Sequence, residues 1–411
     1  MSTVEKEEEF GMHGLPLDVK FCKKCTMNNQ RPSSTIEFKN KAGEKKKPIH
    51  FDKNGICDAC NYAEQKKKIN WEQRVKELQE TCNRFRRLDG RFDVVVPGSG
   101  GKDSVMAAHV LKYKYNMNPI LVTWPPHIYT SIGRYNFEAW LNDGFANYSY
   151  SPNRKVHSLL TKLAFENLVH PFQPFIIGQK NLAPKMSVLL DIPFVVFGEN
   201  EAEYGNAIAD NETPIRDNSY YSAEHRLDEI YLGGVAAKDL MKEYNLSFSD
   251  LEAYLPVDPY ALKKNKTEVH YLGYYLKWHP QETYYYSIEN TAFMPNKVRT
   301  EGSYSKYSSL DDKIDWLHYY TTYIKFGIGR ATYDTAQEIR NGDITRDEGM
   351  RLIKRFDGEF PQLYLQENLD YMGITLERFH EVIEKARTPH LWKKDSKGNW
   401  ELKYKIWEQS N

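Results

Sequence analysis

Two groups of residues in this chain have types and spacings suited to chemistry. The first is a pair of C-x-x-C motifs, Cys22-Lys23-Lys24-Cys25 and Cys57-Asp58-Ala59-Cys60. Two such knuckles can place four thiolates tetrahedrally around one Zn²⁺. The stretch between them is longer than the commonest zinc-ribbon spacing, and a hairpin insertion would fill it. Four protein ligands leave no open position, so the metal expected on Cys22, Cys25, Cys57 and Cys60 is structural, not catalytic. A redox dithiol would need one pair, not two.

The second group is Pro97-Gly98-Ser99-Gly100-Gly101-Lys102-Asp103-Ser104, directly after an apolar run at residues 92–96. It is not a Walker A loop, which would need Gly at Val96 and Ser or Thr at Asp103. It is not G-x-G-x-x-G, because Asp103 holds the third Gly position. Small residues here let backbone N–H groups approach a phosphate, and a following helix adds its dipole. Ser99 and Ser104 add hydroxyl donors. Asp103 would repel a bare phosphate, so it reads as a Mg²⁺ ligand through which phosphates are held. The plainer alternative is a strand–turn–helix with Ser or Asp as N-cap.

These residues need elements to position them. Residues 92–96 read as a buried strand, followed by a helix from Ser104 to about Tyr113. Residues 119–123 form a second strand, a helix is expected around Val156, Leu159, Leu160 and Leu163, and residues 194–197 form a later strand ending at Gly198. Strands alternating with helices predict an α/β fold with a doubly wound parallel sheet, whose ligands sit at the C-terminal strand ends. Upstream, Trp71, Val75, Leu78, Cys82 and Phe85 make one stripe of a helix over residues 64–87, which puts Cys82 in the core. Residues 36–38 and 49–51 read as β-like segments between the cysteine pairs. Beyond residue 240 tyrosines crowd residues 271–286, and helices dominate. Thr345 and Glu348 form a capping box, and Thr375 caps a helix whose apolar face is Leu376, Phe379, Val382, Ile383 and Ala386. The expected organisation is a flexible leader over 1–18, a zinc-ribbon module over 19–63, a nucleotide domain over 64–240 and a mainly helical region over 241–411.

Composition narrows the function classes. A chain of 411 residues favours two or three domains, and 40% apolar with 27% charged residues suits a soluble globular protein. Lys+Arg and Asp+Glu both number 56, so no global cationic footprint for nucleic acid exists. No apolar run reaches the roughly 18 residues of a membrane span. The acidic N-terminus lacks the apolar stretch of a signal peptide. Cysteines paired this way suit reduced metal-binding thiols, so a cytoplasmic location is expected.

The S-G-G-K-D-S segment resembles the pyrophosphate (PP) loop of the N-type ATP pyrophosphatases, which split ATP to AMP and pyrophosphate. F-C-K-K-C, G-I-C-D-A-C, F-G-E-N-E-A-E-Y-G at 197–205, Y-S-K-Y-S-S-L-D-D-K at 304–313 and I-K-F-G-I-G-R at 324–330 are similar to motifs of the N-acetyl sugar amidotransferases. That family makes acetamidino sugars for bacterial surface polysaccharides or flagellar glycans. The resemblance covers residues 21–360 and departs at Tyr323, where the family has Phe. It implies a sheet of the adenine-nucleotide alpha-hydrolase type and the substrates ATP and a nucleotide-linked N-acetyl sugar, with Mg²⁺ and structural Zn²⁺. By the resemblance the loop from Pro97 to Ser104 holds the pyrophosphate. Thr123 and Trp124 meet the adenosine. Gly198, Glu199 and Asn200 line the same cleft. Glu199 or Glu201 ligates Mg²⁺ or takes ammonia's proton, and Lys325 and Arg330 clamp the leaving pyrophosphate.

The nitrogen source is expected to be external. Residue 2 is Ser2, no cysteine stands in a G-x-C-x-G elbow, four cysteines are committed to metal, and Cys82 is a core residue. A separate glutaminase and a barrel-shaped ammonia-conducting partner are therefore expected, as the resemblance also implies. The competing readings are a tRNA-modifying enzyme with the same loop and a zinc-ribbon scaffold without catalysis. Balanced charge weighs against the first, and Ser99, Asp103 and Ser104 against the second.

Overall fold

The computed structural model describes residues 10–205 and 212–409. Its centre is a five-stranded sheet of β1 (Val94–Pro97), β2 (Pro119–Thr123), β3 (Asn147–Ser149), β4 (Phe194–Phe197) and β5 (Glu268–Tyr271), in the order β3-β2-β1-β4-β5. Every pairing is parallel, with Val95 opposite both Ile120 and Val195. Successive strand residues face opposite sides. Val95, Ile120, Val122, Val195 and Val269 therefore join one apolar core, and Val94, Val96, Leu121, Phe194 and Val196 join another. Both faces are covered, which explains the near-continuous valine runs. The chain builds outward from β1 to β3 and then crosses back to β4. The order thus reverses between β1 and β4, and the crevice beyond their carboxyl ends is where such sheets bind ligands.

Helices α1 (Asp58–Lys66), α2 (Trp71–Phe85), α3 (Lys102–Tyr113), α4 (Ser131–Asn142), α5 (Arg154–Leu168) and α6 (Gln173–Leu190) precede or flank the sheet. After β5 come α7 (Pro280–Asn290), α8 (Lys313–Phe326), α9 (Arg330–Asn341), α10 (Arg346–Phe356), α11 (Leu365–Met372) and α12 (Leu376–Ala386). Leu317, Ile324, Leu369, Phe379, Val382 and Ile383 form a core that closes on Phe165 of α5. The Thr345–Glu348 capping box is present, and Thr375 accepts the backbone N–H of Arg378.

Several local expectations are corrected. The helix over 64–87 is two helices, with Asn70 capping the second through the N–H of Gln73. Residues 36–38 are not β-like, because Glu37–Lys39 winds as a 3₁₀ turn. The segment around Ile49 makes only isolated bridges, Pro32 to Pro48 and Phe51 to Cys57. Residues 1–9 of the expected leader lie outside the described residues, but Leu15 is buried among the cysteines. Leu376, at the first turn of α12, is exposed. The sheet does not end near residue 240, since β5 pairs along β4 from Phe194–Glu268 to Phe197–Tyr271.

Candidate functional site

The loop after β1 is shaped by what glycine permits. Gly100 has φ +94°, and a Cβ there would sit 2.8 Å from the Phe137 backbone nitrogen. A Cβ on Gly198 would sit 2.3 Å from the Asp103 carbonyl oxygen, so the end of β4 and the start of α3 meet only without a side chain. Gly101 is the N-cap residue of α3. The first turn of that helix offers unpaired N–H groups and a positive dipole end at the switch point.

A cleft of about 420 Å³ opens there. Gly100, Gly101, Lys102, Asp103, Glu199 and Tyr204 line the sheet side, and Asp311, Asp315, His318, Tyr319, Arg330 and Asp334 line the opposite wall. Asp103 Oδ1 accepts the Trp278 indole N–H at 2.8 Å, and Asp103 Oδ2 accepts Lys102 Nζ at 2.5 Å. The Ser99 hydroxyl donates to Asp311, so the two walls touch at the loop. Burial and then the Asp103 charge push the Glu199 carboxyl up to about 7, and Tyr204 donates to it at 3.2 Å. Burial likewise raises Asp311, and it raises Asp315 to about 7 against the pull of Arg330. Arg330 lies 3.1 Å from Asp334 and stacks over the Tyr319 ring at 4.4 Å. Burial works to lower the Arg330 pKa, but the neighbouring acids outweigh it and hold the guanidinium charged. The cleft thus joins an anion-binding helix start, two cations and several carboxyls that favour a cation between them.

The sequence-derived candidates divide. Gly100, Gly101, Lys102, Asp103, Glu199 and Arg330 line the cleft, and Ser99 reaches it through Asp311. Pro97 ends β1, and Ser104 is turned back onto the Gly101 carbonyl at 2.9 Å. A Cβ on Gly98 would fall 2.2 Å from that of Ser104, so it is a packing glycine.

Five other candidates lie away from the cleft. Thr123 is buried and accepts from Asn147 Nδ2 at 2.8 Å. Trp124 packs in the core against Tyr254, 5.3 Å between ring centroids, and lines a small cavity with Pro97, Gly98, Ser99 and Gln179. Asn200 is structural too: it caps the 3₁₀ turn Glu201–Tyr204 and donates to Tyr62. Glu201 pairs with buried Arg216. Lys325 donates to the Leu168 carbonyl at 2.7 Å and lines a separate cavity with His13 and Lys46. The left-handed Gly327, φ +66°, ends α8, and the turn sends Lys325 and Arg330 to different sides.

The four cysteines gather into one buried cluster, their sulfurs all within 4.8 Å of one another. Cys22 Sγ lies 3.8 Å from Cys60 Sγ, and Cys25 Sγ lies 3.7 Å from Cys57 Sγ. Metal–sulfur bonds of about 2.3 Å in a tetrahedron give edges of about 3.8 Å, so the donor set fits one ion. A four-iron cluster would put each thiolate on a different iron and spread them wider. Backbone N–H groups of Lys24, Met27 and Cys57 point at these sulfurs at 3.4 Å. The cluster packs on Phe326, Ile328 and Ala336, so it braces the helix that carries Arg330.

Sequence reasoning missed Trp278, Asp311 and Asp315. Asp311 lay within the quoted Y-S-K-Y-S-S-L-D-D-K motif, which was the available signal. Trp278 sits among tyrosines that read as packing.

Comparison with known proteins bears on one wall of this cleft. A family model described as "LPS biosynthesis protein WbpG-like, C-terminal domain" matches residues 301–406. An uncharacterized protein of Methanocaldococcus jannaschii is 35% identical over 77 residues, 19% of this chain, and the match spans only 27% of that relative's length. The solved U34-tRNA thiolase NcsA of Methanococcus maripaludis, with its 4Fe-4S cluster, aligns over 77% of this chain and 89% of its own at 14% identity, with a TM-score of 0.29. So low a TM-score supports no inference about this chain. The wall that carries Asp311, Asp315, His318 and Arg330 is similar to the C-terminal domain of WbpG-like lipopolysaccharide-biosynthesis proteins.

Proposed function

We propose that this chain is an ATP-consuming amidotransferase of the PP-loop type. It would adenylate the acetamido oxygen of a nucleotide-linked N-acetyl sugar and replace it with nitrogen from ammonia. The observation that carries this reading is the S-G-G-K-D-S loop at the switch point between β1 and β4, with Asp103 and Glu199 facing Arg330 across one cleft. The match of residues 301–406 to a lipopolysaccharide-biosynthesis domain supports a sugar substrate.

An acetamide is a poor electrophile, and its oxygen is a poor leaving group. In the first step that oxygen attacks the α-phosphorus of ATP and pyrophosphate departs, leaving an O-adenyl imidate. The N–H groups at the start of α3, Lys102 and Arg330 are the donors available to the pyrophosphate. In the second step ammonia adds to the imidate carbon and AMP leaves, giving the acetamidine. Both steps rest on orientation, charge and exclusion of water. Mg²⁺ on Asp103 and Glu199 would screen the phosphate charge, which suits a Glu199 carboxyl that burial and the Asp103 charge push up. Zn²⁺ on Cys22, Cys25, Cys57 and Cys60 would hold the α9 wall in place. Ammonia would come from a separate glutaminase through a barrel-shaped partner.

Sulfur transfer is not supported. Cys82, the one cysteine outside the cluster, is buried on α2, and burial pushes its thiol up to about 12. The test is to incubate the protein with Mg·ATP, ammonium and a panel of UDP- and CMP-linked acetamido sugars. Mass spectrometry should find one sugar that loses an oxygen and gains NH. Conversion of none, with AMP formed on an added tRNA instead, would overturn the proposal.

A further inference from the structure

Arg330 lines the cleft wall opposite the loop, and it is the first residue of α9. Where its guanidinium sits therefore depends on where that helix starts. A helix start leaves backbone N–H groups without intrahelical partners, and a Ser, Thr, Asp or Asn at the N-cap usually takes one of them. The N-cap here is Gly329, which has no side chain to do this. The cap comes instead from Asp357, at the end of α10. Asp357 Oδ2 accepts the Gly329 N–H at 3.0 Å and the Thr332 hydroxyl at 2.6 Å, and Oδ1 accepts the Thr332 N–H at 3.2 Å. The Ala331 N–H goes to the Gly302 carbonyl at 3.0 Å. Glu359, two residues beyond Asp357, holds that part of the chain in turn: it accepts the Gly302 N–H at 2.8 Å and takes Arg299 through both oxygens at 2.6 Å.

Glycine is needed at 329 for space, not for conformation. Its φ of −104° and ψ of −171° are extended backbone open to any residue. A Cβ there would sit 2.6 Å from Asp357 Oδ1. Gly358 has φ +78°, and a Cβ on it would fall 2.2 Å from the Tyr323 ring, so the turn that carries Asp357 is also seated against α8.

We infer that Asp357 is a positioning residue for the cleft: it fixes the first turn of α9 and with it the reach of Arg330 toward the departing pyrophosphate. This rests on the proposed reaction, in which Arg330 is a donor to that group. Asp357 is not among the residues that line the cleft, so it acts through the helix. Its charge complements the positive end of the α9 dipole. Burial raises its carboxyl to about 6, while the Thr332 hydroxyl and the backbone N–H groups pull it down, so it is ionised at pH 7. With the helix start fixed, Asp334 one turn along and the Tyr319 ring hold the guanidinium from two sides.

The test is a double-mutant cycle on the full chain, read as the affinity for magnesium pyrophosphate by calorimetry. Arg330→Gln should weaken binding about 30-fold, the worth of a hydrogen bond from a charged donor. Asp357→Asn should weaken it about 10-fold. In Arg330→Gln protein, adding Asp357→Asn should cost less than about 2-fold more, because its effect passes through the arginine. Gly329→Ala approaches the same contact from the other side and should repeat both results, which keeps the inference testable if Asp357→Asn does not fold. Losses that multiply in the double variants would make Asp357 a brace of the fold alone and overturn the positioning role. So would wild-type affinity in Asp357→Asn or Gly329→Ala. Wild-type affinity in Arg330→Gln would overturn the inference and leave the loop chemistry standing. Wild-type protein that binds no pyrophosphate would sink the proposed reaction and the inference together.

Discussion

Lys66 ends α1, the helix that begins beside Cys57, and its ammonium is almost wholly enclosed. Its Nζ lies 2.5 Å from Glu203 Oε1 and 2.5 Å from the Trp278 carbonyl, with side chains 6% and 4% exposed in the ion pair. Burial pushes the Lys66 pKa down, and Glu203 pulls the other way. Lys66→Met leaves a buried carboxylate without a partner, which costs about 3–5 kcal/mol. Adding Glu203→Leu removes that charge as well. The double variant should therefore recover most of the loss, keeping only the unpaired Trp278 carbonyl at about 1–3 kcal/mol. Denaturant midpoints of wild type, both singles and the double give the coupling directly. Trp278 holds Asp103 through its indole. Both Lys66 variants should thus also bind Mg·ATP more weakly, measured by calorimetry. A double variant as unstable as Lys66→Met would refute the buried-pair reasoning. Unchanged Mg·ATP affinity in a folded Lys66→Met would refute the link to Asp103.

Cys57→Ser should lose the bound metal, found by elemental analysis as a drop from about one Zn²⁺ per chain, with loss of soluble yield. Trp278→Phe removes a hydrogen bond to a charged acceptor, worth about 1.5–3 kcal/mol, and should weaken Mg·ATP binding about 10-fold with the melting temperature little changed. Glu199 and Asp315 are both raised to about 7. The folded, ligand-free protein therefore binds more protons than the unfolded chain between the ordinary carboxyl range and pH 7. Its stability should fall as pH rises through that window, and Glu199→Gln should flatten the fall in denaturation midpoints.

How far the sequence could be read depended on how local the signal was. The loop from Gly98 to Asp103 was legible because strand, glycines and helix start are contiguous. The cysteine cluster was legible because two short knuckles fix four ligands. β5 was missed because Glu268-Val269-His270-Tyr271 is short and half polar, and its membership in the sheet comes from Phe194–Phe197 far upstream. Trp278 and Asp311 reach the loop across 175 and 212 residues, so no spacing could announce them. Lys325 and Arg330 looked equivalent around Gly327 and Gly329. Only the left-handed turn at Gly327 decides that one enters the cleft and the other does not. The packing of Trp124 on Tyr254 and the capping of the Glu201–Tyr204 turn by Asn200 are contacts that no local spacing shows.

The central claim is that the acetamido oxygen is transferred to the α-phosphate. It is tested by supplying the converted sugar with ¹⁸O in its acetamido group, together with Mg·ATP and ammonium. The account predicts one ¹⁸O in the AMP released, none in pyrophosphate, and an acetamidine free of the label. Label appearing in orthophosphate alongside ADP, or AMP formed without it, would contradict the account.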